Sequence, residues 1–100
     1  MILLKEKLKL VEEENKIVAK LKEVEIGEIE YQEVKDNLVD IYHTYVDPDY
    51  QGQHIASILT EYLFKKLKKE NKKAICSCSY VDYWIKKHQE YQSIWYKEEN

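Results

Sequence analysis

One loop of this chain holds its only proline and one of its two glycines. The stretch is Asp-Pro-Asp-Tyr-Gln-Gly-Gln-His-Ile-Ala-Ser, Asp47 to Ser57. Proline fixes φ and removes an N–H donor, and glycine admits positive φ. Placed together between a strand-like run and a helix-like run, they look built to hold something. The residues before the loop read as strands, and the residues after it read as a helix.

Lys16–Leu21 and Glu25–Val34 carry strand-like alternation, with Ile29 and Tyr31 set against Glu28, Glu30 and Gln32. Asp36 and Asn37 supply turn chemistry. Leu38–Val46 is β-branched and aromatic and apolar on both faces, as a central strand would be. Strict alternation puts Val39, Ile41, His43 and Tyr45 on one face and Leu38, Tyr42, Thr44 and Val46 on the other. Leu8–Val11 is an extra edge strand or a lead-in. After the loop, Ile55, Ile58, Leu59, Tyr62, Leu63 and Leu67 share one face of a helix over about residues 55–70. Ala74–Cys78 is a short strand. A helix between two strands of one sheet favours a crossover, so this strand lies parallel to Leu38–Val46. Ser79 is placed to cap a helix over about 80–88. Tyr91, Ile94 and Trp95 are too apolar to hang free, so the tail folds back on the core. The expected architecture is α+β: an antiparallel β-meander, a crossover helix, a parallel strand and a short C-terminal helix, in one domain over 1–100.

One hundred residues bury a thin core. The net charge of −3 comes from intermixed acids and bases and gives no global argument for nucleic acid or membranes. No apolar run reaches the length of a membrane span, and the charged N-terminus does not read as a signal peptide, so a cytoplasmic location is expected. Six of the nine residues from Lys65 to Lys73 are lysines, which suits a solvated helix C-terminus. Cys76 and Cys78 stand two apart on a strand, a poor geometry for a mutual disulfide. The four ligands usual for a zinc site are not at hand, so no metal is expected.

A strand that passes through a glycine loop into a helix makes an anion site. The first helical N–H groups lack intrahelical partners and point at the loop, and the helix dipole adds positive charge there. Gly52 lets backbone approach a ligand, and Ala56 is small enough for a helix start packed on a strand.

The segment from His43 through Leu59 resembles the acyl-coenzyme-A-binding segment of the GNAT N-acetyltransferase superfamily. Gln51 opens its motif and Ala56 closes it. The resemblance is closer to very small GNAT-like proteins of about one hundred residues. They share His43-Thr44-Tyr45-Val46, the glycine loop, Cys78-Ser79-Tyr80-Val81, and the His88 and Tyr91 segment. The resemblance implies a minimal GNAT-like fold and acetyl-coenzyme A (acetyl-CoA) as cofactor. It implies acetyl transfer to an amine acceptor, small molecule or protein. The pantetheine arm would lie where Leu38–Val46 splays from the next strand, hydrogen-bonded near Val46. The pyrophosphate would sit on Gln51, Gly52, Gln53, His54, Ile55 and Ala56. Cys78 becomes a candidate acyl acceptor or a channel-lining residue. His43 becomes a candidate base, its ordinary pKa being near neutrality, or a hydrogen-bonded core histidine. Cys76 reads as packing; Tyr80 and Trp84 wall an acceptor pocket or join the core; His88 and Tyr91 close the site or anchor the tail. One departure stands out: the family has glycine where this chain has His54. A histidine there either contacts a phosphate or obstructs the site. The alternative to an enzyme is a non-catalytic acyl-CoA-binding module, or a pseudoenzyme weakened by His54.

Overall fold

The computed structural model describes residues 7–97. Five strands form one sheet in the order β1-β2-β3-β4-β5: β1 Leu8–Glu13, β2 Lys16–Leu21, β3 Val24–Lys35, β4 Leu38–Val46 and β5 Lys73–Cys76. The first four pair antiparallel, and β5 joins β4 in parallel. Leu8–Val11 thus belongs to a true edge strand. Residues in the left-handed region make each reversal: Asn15, the pair Lys22 and Glu23, and Asn37. Asparagine tolerates that region because its short side chain bonds locally.

Helix α1, Ile55–Lys69, is the expected crossover between β4 and β5. Asn71 (φ 59°) closes it. There Lys72 N–H reaches Leu67 O at 2.9 Å and Asn71 N–H reaches Lys68 O, which satisfies the last carbonyls. Helix α2, Ser79–Lys86, begins one residue earlier than the sequence suggests, with Cys78 rather than Ser79 at its N-cap. A 3-10 segment, Gln89–Ile94, follows. The tail folds back as expected: Tyr96 N–H bonds Ala74 O at 2.7 Å, and Tyr91 and Ile94 are buried.

The helices gather on one face of the sheet. Ile55, Leu59, Leu63, Phe64 and Leu67 of α1 join Ile17, Ala19, Ile26, Ile29, Val39 and Ile41 in one buried cluster. Phe64 stacks on Trp84 at 5.4 Å and meets Tyr91 at 5.9 Å, so α2 and the tail share the core of α1. Trp84 and Tyr91 are therefore core residues. His88 lies against Trp84 at 3.7 Å, with Nδ1 2.7 Å from Trp84 O, and fixes the tail.

Strict alternation fails in β4. Glu30 faces His43 while Tyr31 faces Ile41, so Tyr42 is an extra residue, a β-bulge. The bulge exchanges the faces of everything after it. Val39 and Ile41 point to the core, but His43 and Tyr45 point to the opposite face, and Thr44 and Val46 turn toward the helices. The face assignment expected from sequence is corrected from His43 onward.

Candidate functional site

The Asp47–Ser57 loop is built from local bonds. Asp47 N–H holds Ile26 O at 2.8 Å, and Asp47 Oδ1 accepts from Asp49 N–H at 2.9 Å, capping a 3-10 turn over Pro48–Tyr50. Gly52 follows at φ 86°, where a Cβ would meet nothing within 4 Å, so its need is conformational rather than steric. His54 is the N-cap of α1 at φ 66°, ψ 20°. Its side chain makes no capping bond, and the first turn holds no acidic residue. The first intrahelical bond runs from Ile58 N–H to His54 O. The N–H groups of Ile55, Ala56 and Ser57 thus start the helix without intrahelical acceptors or a side-chain cap.

These groups open into a cleft of about 370 Å³ lined by Thr44, Tyr45, Val46, Tyr50, Gln51, Gly52, His54, Ile55, Ala56, Ser57 and Tyr80. Six of the seven residues expected to hold the cofactor line it; Gln53 does not. Gln51 Nε2 donates to Val46 O at 3.2 Å and ties the loop to the strand end. Gly27, opposite Val46, lets α1 approach the sheet. Burial holds the Tyr80 phenol above its usual range, with Ser57 opposing the shift, so the group stays protonated at neutral pH.

The strands that bound the cleft diverge. Pairing of β4 with β5 runs from Leu38–Lys73 to Ile41–Cys76 and ends there. The last backbone tie is Cys78 N–H to Ile41 O at 2.9 Å. Beyond it, Thr44 Oγ1 and Cys78 Sγ meet at 3.6 Å. Cys78 is half-buried, touches Thr44 and is not part of the cleft lining. Cys76 packs against the core, where burial pushes its thiol up to about 12; the nearby Asp82 and Asp40 add to the shift. The thiol is therefore protonated at neutral pH, in keeping with a packing role.

His43 is not a core histidine. Its side chain is 45% exposed on the open face, with Nε2 3.7 Å from Glu28 Oε2, and Lys16 Nζ reaches the other oxygen of Glu28 at 3.4 Å. Glu28, Glu30 and His43 each bring one donor atom within 4.8 Å of the others, the spacing of a cation site, but Lys16 already neutralises Glu28. The sheet therefore separates His43 from Cys78, and the two candidate catalytic residues do not meet.

The cleft also takes Thr44, Tyr45, Tyr50 and Ser57, none of them singled out from sequence. Ser57 lies on the first turn of α1, next to the loop, and was open to the same argument as Ala56. Thr44 was hidden because its face depends on the bulge at Tyr42, which alternation alone does not reveal.

Residues 9–94 match the family of GCN5-related N-acetyl-transferases. Among solved structures, a GCN5-like protein of Staphylococcus aureus gives a TM-score of 0.76 at 27% identity, covering 94% of this chain and 93% of that one. The ribosomal-protein-S18-alanine N-acetyltransferase of Escherichia coli gives 0.52 at 23% identity, over 65% of this chain and 37% of its own. The PaiA N-acetyltransferase of Thermoplasma acidophilum, solved in complex with coenzyme A, gives 0.52 at 25% identity, over 56% and 35%. The chain spans little more than a third of these two larger proteins and nearly all of the staphylococcal one. No curated protein matches it. Among the described residues, no helix is long and apolar enough to cross a membrane.

Proposed function

Since the chain belongs to the GCN5-related N-acetyltransferase family, we propose that it binds acetyl-CoA in the Thr44–Tyr80 cleft and transfers the acetyl group to an amine. The observation that carries this reading is the meeting of two features in one cleft. An uncapped N-terminus of α1 lies beside a strand edge that β5 has released. The first suits a pyrophosphate; the second offers backbone groups to an extended amide-bearing arm. Val46, Gln51, Gly52, His54, Ile55 and Ala56 are the groups in place for this, and Gln53 supplies loop backbone. When bound, acetyl-CoA would supply the activated acyl carbon.

The protein's own part is to orient and to move protons. Tyr80, a phenol already protonated at neutral pH, is the donor at hand for a departing thiolate. Cys78 is the thiol nearest the splay, as acyl acceptor or channel wall. His43, paired with Glu28, is the base candidate on the open face, and it serves only an amine that reaches the acyl carbon from that face. The two free cysteines fit a reducing compartment, which supports a cytoplasmic setting.

The separation of His43 from Cys78 favours a second reading, an acyl-CoA-binding module without turnover. One assay decides between them. The protein is incubated with acetyl-CoA and a panel of primary amines, including a polyamine and a lysine peptide, and free thiol and acetylated product are both measured. Product formation above the uncatalysed rate is expected. Protection of the fold by coenzyme A without any product would leave the binding module.

A further inference from the structure

We propose that Thr44 is a positioning residue for Cys78, fixing the direction of its thiol in the gap where β4 parts from β5. Its purpose rests on the acyl-transfer reading; its geometry does not. The β4–β5 ladder has ended at Ile41–Cys76, and the Cys78 backbone is pinned on both sides. Its N–H bonds Ile41 O, and its carbonyl accepts from Asp82 N–H at 2.9 Å. What remains free is the direction of the sulfur. Across the opening gap, the side chain that meets it is Thr44, with Oγ1 at 3.6 Å.

Thr44 is suited to this by three features. The bulge at Tyr42 turns it, rather than His43, toward the helices. Its β-branched side chain restricts χ1, which narrows the places the hydroxyl can take. It lines the cleft, which Cys78 does not, and so joins the thiol to that space. Among the described residues, Thr44 is the cleft-lining side chain that hydrogen-bonds Cys78. The hydroxyl accepts from the thiol S–H and donates to the thiolate, the form that attacks a carbonyl carbon. Valine has the same shape and does neither; serine does both.

The test reads Cys78 alkylation by iodoacetamide as a function of pH, by peptide mass, with Cys76, whose thiol burial shifts upward, as internal reference. Parent, Thr44→Val and Thr44→Ser proteins are compared, each with and without coenzyme A. Thr44→Val should slow alkylation at neutral pH about fivefold, the worth of one net hydrogen bond, and displace the pH–rate profile. Thr44→Ser should restore both. Thr44→Ala gives the same information should the valine variant not fold. A Thr44→Val profile superimposed on the parent's overturns the proposal, as does a serine variant as impaired as the valine one. Coenzyme A protection of Cys78 is the separate readout of the cofactor reading. Its absence beside an intact Thr44 effect would sink that reading and leave the positioning role standing.

Discussion

Gly27 of β3 lies directly beneath Ile55, the first residue of α1: a Cβ on Gly27 would stand 3.3 Å from Ile55 Cγ2. The same Cβ would be 3.0 Å from Tyr45 O and 3.4 Å from Leu59 Cδ1. The helix N-terminus is therefore seated at its height above the sheet by the lack of a side chain. The cleft exists between that seat and Val46, the register partner of Gly27. Gly27→Ala should push α1 outward and destabilise the fold by about 1–3 kcal/mol, as small-to-large changes in packed sites do. Urea unfolding measures the loss. An unchanged midpoint would mean that the seat yields freely.

His54→Gly should raise stability by roughly 0.5–1 kcal/mol, because a non-glycine residue in the left-handed region carries a penalty of about 1–2 kcal/mol. Part of that gain is offset by the greater freedom of glycine in the unfolded chain. Histidine is among the side chains that tolerate the region best, which places the gain at the low end. His54 is exposed and is one of the residues lining the cleft. Thermal unfolding with and without coenzyme A separates its two roles. A higher melting temperature with weaker coenzyme A binding identifies the imidazole as a phosphate contact. Stronger binding identifies it as an obstruction. A lower melting temperature in the absence of ligand would contradict the strain argument.

Acid should loosen the attachment of β1 to α1. The Tyr62 hydroxyl donates to Glu12 Oε2 at 2.7 Å and Lys66 Nζ reaches Oε1 at 3.1 Å. Tyr62 first and then Lys66 hold the Glu12 carboxyl below its usual range, and Lys66 does the same for Glu70. A carboxyl with a lowered folded pKa binds fewer protons folded than unfolded. Its contribution is fully present above the unfolded pKa, about 4.3, and is lost as pH falls through the folded value. Glu12→Gln should therefore flatten the fall in stability between about pH 5 and about pH 3. Because the Glu12 side chain is 45% exposed, screening keeps the difference below about 1 kcal/mol. Denaturant midpoints across that range check it; parallel curves for parent and variant would remove the pair from the account.

The reach of the sequence followed the range of its signals. Alternation and helical spacing are local, so the meander, the crossover helix and the parallel strand were legible. So was the loop, since Pro48 and Gly52 mark it by residue type. The bulge at Tyr42 was not, because an extra residue in an apolar strand leaves no mark on composition. That one residue moved His43 to the open face and brought Thr44 into the cleft. Cys78 was expected on a strand and caps a helix instead, since β5 ends where its partner turns away. The strand β1 was ambiguous because an edge with exposed acids alternates weakly, and its role as a fourth antiparallel strand depends on partners far along the chain.

The central claim, that the Asp47–Ser57 loop and the released edge of β4 together hold an acyl-CoA, is tested most directly by titrating isotope-labelled protein with coenzyme A and following backbone amide shifts. Saturable shifts are expected at Thr44, Val46, Gln51 to Ser57 and Tyr80, with Glu28, Glu30 and His43 on the opposite face unmoved. Amides unmoved at millimolar coenzyme A, or shifts centred on the Glu28–His43 face, would contradict it.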